Sequence, residues 1–583
     1  MCNNINSLNA DIYHILEEYL TTEEFTSFLG TSKIIRREYL HLRFITLNNV
    51  YSNLYLESEN FRKHVLSLIV NPSKNLSLVF YCMPGSDLSP LRSSIHIRDV
   101  IGRRDVIDFS LLGGVHTLNL SHCYDLSDVS SLGGVHSLDI SACRKVTDVS
   151  SLGGAHTLKL NQCNGVVDVS SLGGVHDLSL SFCGNLSGVN SLSRVHTLNL
   201  SGCLNLNDVS ALGGVHTLNL TGCKGITDVS ALGKVHSLSL VQCDNVFDVS
   251  SLGGVRNLNL SGCSRVLDVS FLGSVHTLDL STCTGVSDGQ VKFLGGVHTL
   301  NLSRCTVSDV SALGTVHTLN LSCCKNLSDV SSLGGVHTLN LSGCHSVVDV
   351  SSLGNAHTLD LSGCASVFDV SALGGVHTLS LCRCKLVSDV SSLGSVHTLD
   401  LSGCVNVSDV SALGKVHTLN LFECSGVCDV SPLGGVYTLN LSNCEFNVTD
   451  VSGLGGVHNL NLWNCSNITN VSNLGGVHTL NLSHCKLITD VSSLGNVHTL
   501  NLTRCLGVSD VSALGNVHSL DLFGCSRVKD VSALGGLHIL NLNGCRNVTD
   551  ISALGKLHSL NILGCPLIKD YSAVSDVIHF VHK

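Results

Sequence analysis

Histidine, cysteine, aspartate and serine recur through most of this chain at fixed spacing. Those four residue types can bind metals, attack carbonyls and carry protons. The recurring pattern is Val-His-Thr-Leu-Asn-Leu-Ser-Gly-Cys, three variable residues, then Ser/Thr-Asp-Val-Ser-Ala/Ser-Leu-Gly-Gly. It repeats 23 times, with first residues running from Val115 to Leu557. Histidine follows the first apolar residue in 21 copies, with Arg256 and Tyr437 as the exceptions. Cysteine holds one position in all 23, from Cys123 to Cys565. Aspartate holds the Asp128 position in 21, interrupted by Gly188 and Asn470.

Each chemistry meets a physical objection. Zinc needs four ligands converging at about 2.0–2.3 Å. His116 and Cys123 are seven residues apart, with the cysteine expected inward and the histidine ahead of the strand. No metal site and no cofactor are therefore expected. The histidines read as a stacked row of mostly neutral imidazoles that bond backbone groups between turns. Charging that row would set like charges side by side, so stability should fall below the ordinary histidine pKa of roughly 6.5. Aligned aspartates could hold calcium, yet Asp-Val-Ser-x-Leu reads as a carboxylate capping the N–H groups of a turn. Gly133-Gly134 and their equivalents supply the tight return to the next strand, and no Gly-Lys-Ser/Thr follows to make a phosphate loop. A nucleophile requires a locally distinct environment. Near-identical copies offer none, so no catalytic residue and no enzyme are expected.

Composition narrows the partners. Charged residues make up 13% of the chain, against roughly 25% in an ordinary globular protein. The net charge is −11, and the basic run Arg98, Arg103 and Arg104 lies outside the repeats. These features argue against nucleic acid and against anionic membranes. The first residues lack the basic and apolar regions of a secretory signal, and no stretch reaches the ~20 apolar residues that span a bilayer. Of 28 cysteines, 23 share one repeat position, which reads as reduced, buried thiols in a cytoplasmic, reducing compartment. Asn119, Asn199, Asn219, Asn301 and Asn501 each open a glycosylation sequon. A secreted chain would risk a row of glycans there.

A strict period near 20 residues means a solenoid, which works by offering surface to a partner. The unit resembles the leucine-rich repeat, L-x-x-L-x-L-x-x-N/C-x-L. Val115, Leu118, Leu120, Cys123 and Leu126 fill its slots, and Val129 and Leu132 complete the inner set. The resemblance implies an α/β-type solenoid with a parallel β-sheet on its concave side. The convex segment is too short for a regular helix, so 3₁₀ or extended chain is expected there. At ~4.8 Å per strand the sheet should run roughly 110 Å. The period breaks around Asp288–Phe293, after Val297 and near Glu445, where length changes should fall outside the strands. Four regions follow: a helical segment 1–50, a connector and N-terminal cap 51–107, the solenoid 108–565, and a C-terminal cap 566–583.

The N-terminal segment has apolar residues at helical spacing. It resembles an F-box at Leu8, Ile12, Ile15, Leu16, Tyr19, Leu20, Glu24, Phe25, Phe28, Leu29, Ser32 and Lys33. Asn9 stands where that family carries proline, and no tryptophan follows Arg36-Arg37. The resemblance implies a module that binds the Skp-type adaptor of a cullin-based ubiquitin ligase. The repeats would then recruit an unidentified target protein, with the chain acting as a monomer. The alternative is a leucine-rich-repeat scaffold without a ubiquitin role, whose helices only cap the array. A weaker third reading is a secreted adhesin similar to internalins.

The concave face is expected to carry ladders of small polar groups such as Thr117, Asn119 and Ser121, which offer little to grip. The deviations are better contact candidates. Phe422, Trp463, Phe523 and Leu563 replace the serine, and Ile539 replaces the threonine. Large apolar groups on a polar face mark contact sites.

Overall fold

The computed structural model describes residues 45–47, 76–81, 97–103, 112–186, 188–444, 447–575 and 577–582. The chain divides into two compact units, Met1–Phe271 and Leu272–Lys583.

In the first unit, parallel pairing joins β1 (Ile45–Leu47), β2 (Leu76–Tyr81), β3 (Ile97–Arg103) and β4 (Thr117–Asn119) in chain order. The sheet therefore begins well upstream of residue 108, where the sequence repeat fades. From β4 onward each 20-residue unit adds one three-residue strand in strict register, Thr117 opposite Ser137 and Leu118 opposite Leu138. The series runs to Asn257–Asn259. The second unit repeats the scheme from Thr277–Asp279 to His579–Val581.

Period-2 side-chain alternation explains each strand. Leu118 and Leu120 point inward and are 1% exposed, while Thr117 and Asn119, which alternate with them, are half-buried. Cys123, Leu126, Val129, Leu132 and Val135 close a ring of buried side chains around the turn. One such ring cannot be covered by its own unit, so stacking on neighbours is what buries it.

A left-handed residue turns the chain three positions after each repeat strand. The residue before the ladder cysteine has positive φ in every unit, for example His122 at 63° and Gly202 at 71°. Glycine occupies this position nine times, and fourteen other residues, Thr282 (60°) among them, also adopt it. A 3₁₀ turn follows, as at Ser150–Gly154, as the short convex segment requires. The extended unit accommodates its additional residues in a single α-turn, Asp288–Val291. The longer unit near Glu445 keeps Thr438 opposite Asn459. Both changes leave the strands intact.

Gly133 corrects one expectation. Its φ is −61°, an ordinary right-handed value. Glycine is favoured there by close approach, because a Cβ would lie 2.5 Å from the Ser151 carbonyl oxygen of the next turn; within the array only Ser193 replaces it. The same contact recurs at Gly173 (2.3 Å) and Gly374 (2.4 Å).

Candidate functional site

Identical units in register turn each repeat position into a row. The histidine row stacks face to face. From His116 to His236, ring centroids are 4.5–4.8 Å apart with planes within 9–14° of parallel. In the second unit the row runs from His276 to His558. Tyr437 keeps the stack there, 4.9 Å from His417 and 4.5 Å from His458. The rings do not bridge backbones as expected. Their Nδ1 atoms face the next residue's hydroxyl, as in His337 to Thr338 Oγ1 at 3.3 Å. The histidine main chain does the bridging: the His337 carbonyl accepts N–H bonds from His357 (2.9 Å) and Thr358 (3.1 Å). Withdrawal from solvent, then the charges of neighbouring histidines, lower the pKa of His216, His298, His337, His377 and His478. At these positions the surroundings favour neutral rings.

The cysteine row is buried and free of disulfides among the described residues. Thiols along the row donate to a leucine carbonyl of the preceding turn, as in Cys143 to Leu120 O (3.2 Å) and Cys404 to Leu381 O (3.1 Å). The Leu120 carbonyl also accepts the Cys123 N–H at 3.1 Å, so the thiol occupies its second lone pair. Burial, followed by repulsion from neighbouring cysteines, pushes the Cys143 and Cys404 thiols up to about 12. A thiol that stays protonated is neither a nucleophile nor a ready metal ligand at neutral pH. Cys428 is exposed and lies outside the row.

The aspartate row serves the turns. Asp128 Oδ1 accepts the Ser130 N–H at 2.9 Å, and Asp409 does the same from Ser411 at 2.9 Å. Asn470 substitutes with a 3.0 Å bond from Ser472. The residue at the cap position itself is the following valine, such as Val129, so the carboxylate acts from one position earlier. Hydrogen bonding to Ser130 holds Asp128 below the usual carboxylate range. Asp288 departs from the pattern and accepts the Ser308 N–H (2.8 Å) from the next unit.

The polar face of the sheet is also engaged internally. Asn119 Oδ1 accepts the Ser121 N–H at 2.9 Å, and Asn501 accepts the Thr503 N–H at 2.8 Å. Its blandness thus has a structural cause. Among the deviations, Phe422, Phe523 and Leu563 are half-buried, while Trp463 (37%) and Ile539 (39%) are exposed. Trp463 meets His484 edge-on at 6.1 Å, and Arg504 lies 5.7 Å from the Phe523 ring centroid. Phe422 and Trp463 stand two strands apart, and Trp463 and Phe523 three. Their own neighbours, rather than one another, are their contacts. The F-box-like residues Leu8, Ile12, Ile15, Leu16, Tyr19, Leu20, Phe25, Phe28 and Leu29 lie outside the described residues.

One departure escaped the sequence reading. Asp177 replaces the threonine that follows the histidine. Its carboxylate reaches His176 Nδ1 at 3.2 Å and His156 Nδ1 at 4.0 Å. Burial opposes its ionisation, but hydrogen bonds from Thr197 and His176 and the nearby histidine charges outweigh that and lower its pKa. The signal was available: an acid in a column of Thr, Ser and Asn, directly after a histidine.

No family model matches the sequence, and no curated protein matches it. Solved structures do. An internalin of Listeria monocytogenes is 19% identical, with 63% of this chain and 84% of that chain covered and a TM-score of 0.22. A leucine-rich repeat protein of Leptospira interrogans is 16% identical, covering 73% and 94%, at 0.35. The functional domain of InlJ from Listeria monocytogenes, described as including a cysteine ladder, is 17% identical, covering 68% and 71%, at 0.25. At these identities the partners and activities of those proteins remain their own.

Proposed function

We propose that this chain is a non-enzymatic, monomeric protein-interaction adaptor of a cytoplasmic, reducing compartment. Residues 1–50 engage a Skp-type adaptor and the repeat array recruits a target for ubiquitylation. The division into adaptor-binding segment 1–50, connector 51–107, array 108–565 and cap 566–583 belongs to this proposal. The observation that carries the interaction reading is that the histidine, cysteine, aspartate and asparagine rows are committed to the fold. On the sheet face, what distinguishes one turn from the next is a small set of large or charged replacements. Phe422, Trp463, Phe523, Ile539 and Leu563 are the proposed target contacts, since aromatic side chains dominate interface energetics. Free buried thiols support a reducing compartment, as do sequon asparagines whose side chains already bond their own backbone. Among the described residues no helix is long and apolar enough to cross a membrane.

The ubiquitin link rests on the spacing from Leu8 to Lys33. A pull-down of the full chain with purified Skp-type adaptor tests it. Binding should be retained by the natural chain and lost when Ile12, Leu16 and Leu20 are changed together to Asp. Absence of binding by the folded natural chain refutes the link. Asn9, in place of the family's proline, favours a second reading, a repeat scaffold with no ubiquitin role.

A further inference from the structure

We propose that His156, His176 and Asp177 form a binding site for a borderline divalent cation of the Zn²⁺ class. Each offers one donor atom, and the three donors lie within 4.8 Å of one another. No other group of three such side chains lies so close among the described residues. The repeat explains how the site arises. Stacking holds the two imidazoles 4.6 Å apart with planes 14° from parallel, so both Nδ1 atoms face the same side. Elsewhere that side presents a neutral hydroxyl, as at His196 and Thr197 (3.3 Å). Asp177 puts a carboxylate there instead, with Oδ1 3.2 Å from His176 and Oδ2 4.0 Å from His156.

Donors bound at ~2.0–2.2 Å around a tetrahedral ion stand about 3.3 Å apart. The His176–Asp177 pair is already at that separation; the two stacked imidazoles hold their in-plane lone pairs nearly parallel, so His156 joins the ion by turning its exposed ring out of the stack. Two imidazoles and one carboxylate suit Zn²⁺ or Cu²⁺ rather than Ca²⁺ or Mg²⁺, which prefer all-oxygen sets. Both rings are exposed, so an ion has a path in and the remaining coordination positions stay open to water or to a donor from another molecule. The ladder cysteines do not compete, because their thiols are buried and protonated.

The test is titration of the full chain with Zn²⁺ alone, followed by isothermal calorimetry at pH 7.5. Two variants are built from replacements the array already tolerates. Asp177→Thr installs the residue found at Thr197 and Thr217, and His176→Tyr installs the ring that stacks normally at Tyr437. Outer-shell losses alone cost 10–100-fold in metal affinity, so removing a ligand should cost at least about tenfold. The natural chain should show one site that both variants lose by at least that factor. His357→Tyr, in a stretch of the row without a carboxylate, should leave that site unchanged. Equal zinc affinity in the natural chain and in Asp177→Thr would overturn the proposal. So would loss of the site in His357→Tyr, since binding would then belong to the stack as a whole.

Discussion

Replacing Gly374 by alanine should damage the second unit far more than replacing its neighbour Gly375. A Cβ on Gly374 would sit 2.4 Å from the Ser392 carbonyl oxygen, whereas real Cβ atoms almost never come within 3.0 Å of anything. The obstructing atom is backbone on the next 3₁₀ turn, Ser391–Ser395, so no side chain can swing aside. The two turns must part by about 0.6 Å, and overpacking of this kind costs ~1–3 kcal/mol. Alanine restricts the unfolded chain more than glycine and returns ~0.4–1 kcal/mol, leaving a net loss of about 1–2 kcal/mol. A Cβ on Gly375 would lie 2.7 Å from the Gly354 oxygen, yet Asn355, Ser395 and Lys415 occupy the equivalent place in otherwise identical turns, whereas at the Gly374 place Ser193 is the single departure from glycine within the array. That variant should stay within ~0.5 kcal/mol of the natural chain. Urea unfolding followed by circular dichroism, with Trp463 fluorescence as a second probe, gives the midpoints. Equal midpoints for the two variants would refute the close-approach argument and return the glycine to a conformational role.

Thr282 holds a β-branched side chain at φ 60°, a conformation that costs roughly 1–2 kcal/mol. Thr282→Gly should therefore stabilise the second unit by about 0.5–1 kcal/mol net of glycine's entropy, read as a rise in urea midpoint. Acid should act through the histidines first. For His216, His298, His337, His377 and His478, folded-state pKa values below the unfolded value mean that the unfolded chain binds more protons, so these neutral rings contribute fully above pH ~6.5 and their contribution is lost progressively below it. His558, whose pKa is lowered by desolvation first and then by His538 and His579, belongs to this group. The aspartate row, also lowered, contributes above pH ~3.9 and is lost only below that. Melting temperatures should fall from pH 7.5 to 5, and a flat profile would contradict the reading. Cys404→Ala should cost about 1–2 kcal/mol, from lost sulfur contacts and a carbonyl lone pair left without its donor. Maleimide labelling of the native chain, mapped by mass spectrometry, should modify Cys428 and spare Cys404. Equal labelling of both would show that the row is open to solvent.

The solenoid was readable because the apolar positions repeat 23 times in register, and no other arrangement buries Leu118, Leu120, Cys123 and Leu126 together. Turn capping by Asp128 was also legible, since a short acid two residues before a backbone N–H makes this bond locally. What the sequence hid came from neighbouring turns. The Gly133 preference comes from Ser151 of the next turn, and the thiol's acceptor, Leu120, lies 23 residues before Cys143. The left-handed residue left a partial trace, nine glycines among many other residue types. β1 to β3 lack the repeat's spacing, so the sheet's upstream extension had no periodic signal. Asp177 is a single carboxylate in one turn and carries no periodic signal. The stack that aligns His156 with His176 is visible only once the turns are superposed.

On the proposed function, the rows build the fold and the departures from them bind the partner. Serine already occupies the Phe422, Trp463 and Phe523 position in many turns, Ser342 and Ser402 among them, so changing all three to Ser should preserve the circular dichroism spectrum. Affinity capture from cell extract, quantified by mass spectrometry, compares the natural chain with this triple variant. At least one partner held by the natural chain should be lost by the folded variant. An unchanged set of partners would contradict the claim and place recognition on the rows themselves or outside the array.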